Sequence, residues 1–425
     1  MPIPVALAPS VAPAPPVPKK NIVVLGAGFG GLRAAMDIAK GLRAANLLAK
    51  YDVVLVDKND CQLYTPLLYE AAAGPSNSPH GKIENVCTYD ISSLIKGLPI
   101  RFVQNEIAAL DLPNGDVHLK TGEELRADFL VIALGSETNF FGISGLKENA
   151  LQMKSIEQAM AVREAISNAF GKGGEVKIVV GGGGANGCEL AGEIRLWANR
   201  AGASKVSVGL LEAMPTLLPG LDARVTKIAA ARLAKLGVEV MTAGKIVSVA
   251  PKEISLDGGK KIPFDVFVWT GGIRTPDMVT QLPLTKEPHG KPLAKSDMIC
   301  LPATPDLKLY PMVYAIGDSV CFMNPKTNRP VPAVARAAID EGAVAAHNVV
   351  EEIKKIERAA YAPALKNYTP VEYPYVIPIG EGWAVAKFGP FVFSGWPAIV
   401  FKKFIELDYL WSVMSLWTAL RVWMQ

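Results

Sequence analysis

One short pattern occurs twice in this chain, and it limits what the chain can fold into more than any other feature. The apolar, β-branched run Ile22 to Leu25 leads into Gly26, Gly28 and Gly31 and then into a helix-like stretch. The spacing is G-x-G-x-x-G. Its first glycine permits a tight strand-to-helix turn, its second lets a pyrophosphate approach bare backbone, and its third lets the helix pack closely on the sheet. That helix aims free N–H groups and the positive end of its dipole at the phosphates. Tyr51 to Asp60 reads as the next buried strand, ending in Asp57, whose carboxylate suits the hydroxyls of an adenosine ribose. Asp57 lies beyond the usual ~20 residues, and Lys40 to Lys50 explains the excess as a lengthened connecting helix. A single motif of this kind also fits a glycine-rich turn in some other α/β protein.

The second copy makes that alternative improbable by chance. Glu175 to Ile194 again reads as strand, glycine loop and helix, with Gly182, Gly184 and Gly187 at the same spacing. Lys205 to Pro215 supplies the following strand and its terminal acid, Glu212. Two such units imply two nucleotide sites. Glu212 would accept a free 2′-hydroxyl and repel a 2′-phosphate, and no Arg or Lys follows it before Arg224, so the second nucleotide is expected to be NADH rather than NADPH. Glu189 reads as part of the first turn of its helix. Two roles are open to it there: a carboxylate stabilised by the helix dipole, or a group beside the nicotinamide.

At 425 residues the chain is long enough for two or three domains. Half of its residues are hydrophobic and a fifth charged, which excludes general disorder. The net charge of +4 is small and its Lys and Arg are dispersed, so nucleic acid is not an expected partner. Cys61, Cys87, Cys188, Cys300 and Cys321 form no C-x-x-C pair and no metal-type spacing, so no metal site is expected. The Pro- and Ala-rich residues 1–19 resemble no targeting signal and read as a disordered leader.

Between the two motifs, Asn59 to Gly74 reads as an apolar loop without a strand period, either a buried connection or the lining of a cofactor pocket. Ile100 to Leu110, Asp116 to Lys120 and Glu124 to Ile132 read as three strands. A further buried strand stops at Gly135, where the backbone must come near something, and Gln158 to Phe170 reads as a helix. After Val238 the meander recurs and ends in Phe267 to Pro276. Met312 to Phe322 then gives a buried strand followed by Gly317 and Asp318, a carboxylate placed to accept from ribityl or ribose hydroxyls. Val331 to Val350 reads as an Ala-rich helix entered through Pro332.

With these stations in hand, the chain resembles the two-dinucleotide flavoprotein reductases and, within them, the type II (alternative, non-pumping) NADH:quinone oxidoreductases. The resemblance rests on LGAGFGGLRAA, DKNDCQLYTPLLYEAAAG, ALGSETNFFGISG, GGGGANGCELAGEI and YAIGDS. It implies FAD held by Gly26, Gly28, Gly31, Asp57 and Asp318, and NADH held by Gly182, Gly184, Gly187 and Glu212. It adds Phe29, Gly30, Lys58, Gly135, Gly272, Gly317 and Ala333 to the cofactor-binding set. Such enzymes carry two glutamines one turn apart in the helix after the Gly-Asp station, on the quinone side of the flavin. Here Arg336 and Asp340 stand at those positions, a potential ion pair at i, i+4. With Glu189, they are the expected catalytic candidates.

The tail fits the same resemblance. Gly380 to Gln425 holds five of the seven tryptophans. On a helical wheel Val400, Phe401, Phe404, Ile405, Leu407, Trp411 and Met414 gather on one side, interrupted by Asp408, with Lys402, Lys403 and Glu406 opposite. Neither uncharged run reaches the ~18 residues of a spanning helix. An amphipathic helix lying in a membrane interface suits the pattern, and cover for a core or for a dimer partner is the other reading.

The expected architecture is therefore α/β: two Rossmann-like dinucleotide-binding domains, an FAD domain with an inserted NADH domain, plus a C-terminal amphipathic membrane-associating segment. The boundaries are leader 1–19, FAD domain 20–150 and 273–360, NADH domain 151–272, and tail 361–425. The expected activity is transfer of two electrons from NADH through FAD to a membrane quinone without ion pumping, peripherally on the cytoplasmic side of the cell membrane. Alternatives are a soluble reductase of a ferredoxin-like protein, a sulfide:quinone type enzyme, and a flavin-bearing interaction protein.

Overall fold

The computed structural model describes residues 18–75, 83–171, 174–310 and 312–423. Residues 1–17, most of the expected leader, lie outside it. Two five-stranded, fully parallel sheets organise the described chain. In the first, Lys20–Leu25 is central, with Tyr51–Asp57 and then Ile100–Gln104 on one side and Phe129–Ile132 and then Met312–Ala315 on the other. In the second, Val176–Gly181 is central, flanked by Val206–Leu211 and Val238–Met241, and by Val266–Trp269 and the short Leu151–Gln152. Sheets of this kind are covered on both faces, which is why their strands read as unbroken apolar runs.

The helix Phe29–Ala45 follows the first glycine loop and ends where Asn46 takes a left-handed conformation at φ 59°. It packs along Ala335–Glu357. The helix Ala185–Arg200 follows the second loop. Ile156–Phe170 joins the two halves and opens on a cap in which the Ser155 side chain accepts from the Gln158 amide.

Three sequence expectations are corrected. Ile100 to Leu110 and Glu124 to Ile132 are each two strands: Ile100–Gln104 and Phe129–Ile132 join the parallel sheet, while Ile107–Asp111 and Glu124–Arg126 flank Asp116–Leu119 in an antiparallel meander. No Gly or Pro marks the first split, because tertiary pairing alone decides it. Asn59 to Gly74 is ordered into the strand Cys61–Leu63, a 3₁₀ turn and the helix Leu68–Ala73, whose Tyr69 and three alanines are buried. The helix expected from Val331 begins later, at Ala335, and runs to Glu357.

The tail forms a three-stranded antiparallel sheet, Tyr375–Pro378, Ala384–Phe388 and Phe391–Gly395, followed by the helices Trp396–Val413 and Leu416–Trp423. Its long helix is docked by its more polar side. Lys402 is mostly covered, Glu406, Tyr409, Leu410 and Val413 are buried, and the apolar residues Trp396, Phe404 and Trp411 are 73%, 57% and 59% exposed. Trp417 in the last helix is 83% exposed. No helix among the described residues is long and apolar enough to cross a membrane.

Candidate active site

Both glycine loops are shaped by close backbone approach. A Cβ at Gly31 would stand 1.9 Å from the Gly26 carbonyl oxygen, and one at Gly187 would stand 1.8 Å from that of Gly182. Gly26 and Gly182 hold φ +97° and +105°, which side chains rarely adopt. Gly28 and Gly184 differ: no atom lies within 4 Å of where a side chain would begin. Neither following helix has a side-chain cap or an acid in its first turn. The first-turn amides of both helices are thus free to take an outside acceptor, and the residues fit a pyrophosphate at each loop.

The two strand-end acids also brace their loops. Asp57 accepts from the amides of Ala27 at 2.7 Å and Asn59 at 2.9 Å, and Glu212 accepts from those of Gly183 at 2.6 Å and Met214 at 2.7 Å. Burial raises the Asp57 carboxyl while these backbone donors oppose it. Each carboxylate retains lone pairs for a ribose. Lys58 is exposed beside Asp57. Gly30 has a packing reason to be glycine, since a Cβ there would meet the Ala338 carbonyl oxygen at 2.8 Å.

The third station joins distant parts of the chain. Asp318 lies in the turn Gly317–Ser319 and accepts from Ser136 Oγ at 2.7 Å, while Lys154 Nζ donates to the same Oγ at 2.8 Å. Ser319 donates to the Gly135 carbonyl at 3.3 Å, and Glu341 Oε2 accepts the Gly317 amide at 2.6 Å. Gly135, Gly272 and Gly317 all have positive φ. Gly272 lies where Ile273–Arg274 pairs antiparallel with Glu137–Thr138, crossing between the halves. Ala333 is exposed just before the helix Ala335–Glu357. Phe29 packs edge-on to Tyr64 and Tyr409, with centroids 5.7 and 5.0 Å away. Sequence reasoning passed over Lys154 and Glu341, whose partners lie 18 and 24 positions away.

Glu189 corrects the helix-cap reading. The helix starts at Ala185, so Glu189 lies past the first turn, and it is buried. Burial pushes its carboxyl up to about 8, with Lys402 opposing and Glu70 reinforcing the shift. Lys402 comes from the tail helix and donates to Glu70 at 2.8 Å and to Tyr69 Oη at 3.0 Å. Burial works against the Glu70 charge, but Lys402 and Tyr69 outweigh it, and its pKa falls below the ordinary value. The polar side of the tail thus ends beside the helix of the second glycine loop.

Arg336 and Asp340 do form the ion pair, at 3.3 Å. Arg336 also donates to Asp408 of the tail helix, which accounts for the acid on that helix's apolar side. Asp340 accepts from Tyr373 Oη at 3.1 Å, and Tyr373 lies 2.9 Å from Tyr368 Oη.

All five cysteines are free. Burial raises every one of these thiols, Cys87 and Cys300 to about 12, so at neutral pH they stay protonated and weakly nucleophilic.

Two parallel-sheet units, each with an uncapped glycine-loop helix and a strand-end acid, define an α/β protein built to hold two dinucleotides. The family model described as "Pyridine nucleotide-disulphide oxidoreductase" matches residues 20–342, and the chain belongs to that family. It is similar to "Type II NADH:quinone oxidoreductase" of Staphylococcus aureus strain MSSA476, with 26% identity covering 95% of this chain and 98% of the relative. The protein of that name from strain NCTC 8325 is 28% identical over 78% of this chain and 82% of its own. Among solved structures, NDH2 from Plasmodium falciparum in complex with NADH superposes with a TM-score of 0.81 at 17% identity, covering 96% of this chain and 97% of that one. The sulfide:quinone oxidoreductase from Aquifex aeolicus superposes with a TM-score of 0.73 at 19% identity, covering 93% of this chain and 91% of that one, a likeness of fold.

Proposed function

We propose that this protein is a membrane-associated flavoenzyme that passes two electrons from NADH through FAD to a membrane quinone without moving ions. The observation that carries this reading is the extent of the likeness to a type II NADH:quinone oxidoreductase, which at 95% of the chain is too long to leave the tail out. Bound FAD supplies the redox chemistry, so the protein's part is positioning, exclusion of water and electrostatic tuning.

In this reading segments 20–150 and 273–360 hold FAD, segment 151–272 holds NADH, and 361–425 meets the membrane. The Gly26, Gly28 and Gly31 loop takes one pyrophosphate with Asp57 on its ribose, and Asp318 meets the ribityl hydroxyls. The Gly182, Gly184 and Gly187 loop takes NADH, with Glu212 on the 2′-hydroxyl. Glu189 lies beside the nicotinamide and, with its carboxyl near 8, carries a proton at neutral pH. Arg336 and Asp340 border the quinone side, where their ion pair narrows the space that a neutral pair would leave. Outward-facing Trp396, Phe404, Trp411 and Trp417 support a tail lying in the lipid interface, which in this reading is on the cytoplasmic side. Protonated thiols, buried at Cys87, Cys188, Cys300 and Cys321 and partly covered at Cys61, argue against a sulfide:quinone type enzyme, which needs a reactive cysteine pair.

The test is steady-state oxidation of NADH with a short-chain quinone, compared with NADPH and with no acceptor. Quinone-dependent turnover at least about tenfold faster with NADH is expected, equivalent to ~1.4 kcal/mol of discrimination. Negligible quinone-dependent turnover by flavin-loaded protein removes this reading.

A further inference from the structure

Glu341 is a buried carboxylate that the reaction above does not use. It lies in the second turn of the helix Ala335–Glu357, is 3% exposed, and accepts the Gly317 amide at 2.6 Å. Gly317 has φ +67° and opens the turn that carries Asp318. The same helix segment reaches the first glycine loop, where a Cβ at Gly342 would stand 2.5 Å from the Gly30 carbonyl oxygen. One helical turn therefore touches both the phosphate-loop helix and the Asp318 turn. Glu341 ties it to the turn by accepting that amide through its carboxyl oxygen, charged or not, and a buried amide left without an acceptor would cost free energy.

The charges around Glu341 are unbalanced. Asp318 from the turn and Asp340 from its own helix are like charges, Lys291 from the segment packed beside them is the opposing cation, and the Tyr368 hydroxyl faces it from the segment leading to the tail. Burial, reinforced by Asp318 and Asp340 and opposed by the Gly317 amide and Lys291, pushes the carboxyl up to about 7.

We propose that Glu341 is a proton-sensitive positioning residue of the flavin site, holding Asp318 in place through the Gly317 amide and loosening the site's hold on FAD when it ionises. The inference rests on the FAD half of the proposed function and not on the identity of the acceptor. The sign follows from charge. Ionised Glu341 adds a second negative charge beside Asp318, in a site that must also accept an anionic pyrophosphate. FAD is therefore held less tightly above about pH 7, and by reciprocity binding FAD draws a proton onto Glu341.

The test dilutes the flavin-loaded, full-length protein at pH 6 to 8.5 and follows FAD release by its fluorescence. The parent protein should lose about tenfold in FAD affinity across that range, a coupling of ordinary size. Glu341→Gln keeps an acceptor for the Gly317 amide but cannot ionise, so it should hold FAD at every pH with the dependence flattened. Glu341→Ala should hold it weakly throughout. Calorimetric titration of FAD into flavin-stripped parent protein at pH 7, in two buffers of different ionisation enthalpy, should register net proton uptake that Glu341→Gln abolishes. Identical pH slopes for parent and Glu341→Gln overturn the proposal, as does a Gln variant that releases FAD like the Ala variant. A pH-invariant FAD affinity in the parent does so too, while leaving NADH:quinone turnover as a separate result.

Discussion

At the scale of single residues, Glu189 links burial to a measurable slope. An unfolded glutamate titrates at about 4.3, whereas Glu189 in the folded protein titrates at about 8. Between those values the native state holds a proton that the unfolded chain has lost, so this residue makes stability fall as pH rises from about 4 to about 8 and leaves it level above. Glu189→Gln should remove that slope and gain up to about 5 kcal/mol on the parent at pH 8.5. Thermal unfolding of both proteins from pH 5 to 9 checks this, and parallel curves would count against it. Gly187 tests the second loop separately. A methyl group there meets the Gly182 carbonyl oxygen, so Gly187→Ala should keep the yellow flavin and weaken NADH at least about tenfold, read by titration of NADH fluorescence. Loss of the flavin with NADH binding intact would reverse the assignment of the loops. The glycines and strand-end acids were legible in the sequence because their chemistry is local. Lys402 opposite Glu70 was not, since 332 positions separate them and only the fold brings them together.

Among the elements, the tail helix is the one whose amphipathicity is turned outward. Its polar side holds Lys402 against Glu70 and Tyr69, while on its apolar side Phe401 packs against Phe388 and Phe393 and Phe404 against Trp423, yet Phe404 and Trp411 stay more than half exposed. Arg336 crosses to Asp408 on that side, but both partners are half exposed or more, so the pair orients the helix more than it stabilises it. Phe404→Glu and Trp411→Glu together should therefore leave the fold and NADH oxidation with a soluble acceptor unchanged, while weakening flotation with anionic lipid vesicles by about tenfold or more. Unchanged flotation would instead fit a face that serves a second copy of the chain. The helical wheel revealed both faces of this helix, but hydrophobicity alone could not say which one the protein would bury. Likewise the run Ile100 to Leu110 contained both of its strands without a breaker between them, so only pairing in space divides it.

For the molecule as a whole, the repeat made the two parallel sheets legible, and the interleaving of their segments followed from the Gly-Asp station beyond the second repeat. What the sequence could not supply was the contact geometry where the segments meet, at Gly135, Gly272 and Gly317. The edge strand Met312–Ala315 pairs with Phe129–Ile132, so the first sheet is closed by residues made almost two hundred positions after its neighbour. A ribosome elongating at roughly 5 to 20 residues per second releases every strand of the second sheet before that edge strand emerges. The second sheet, the half proposed to hold NADH, can therefore be complete during translation, while the proposed flavin half waits for the strand Met312–Ala315. A nascent chain stalled short of Met312 should carry no flavin, whatever the cellular supply.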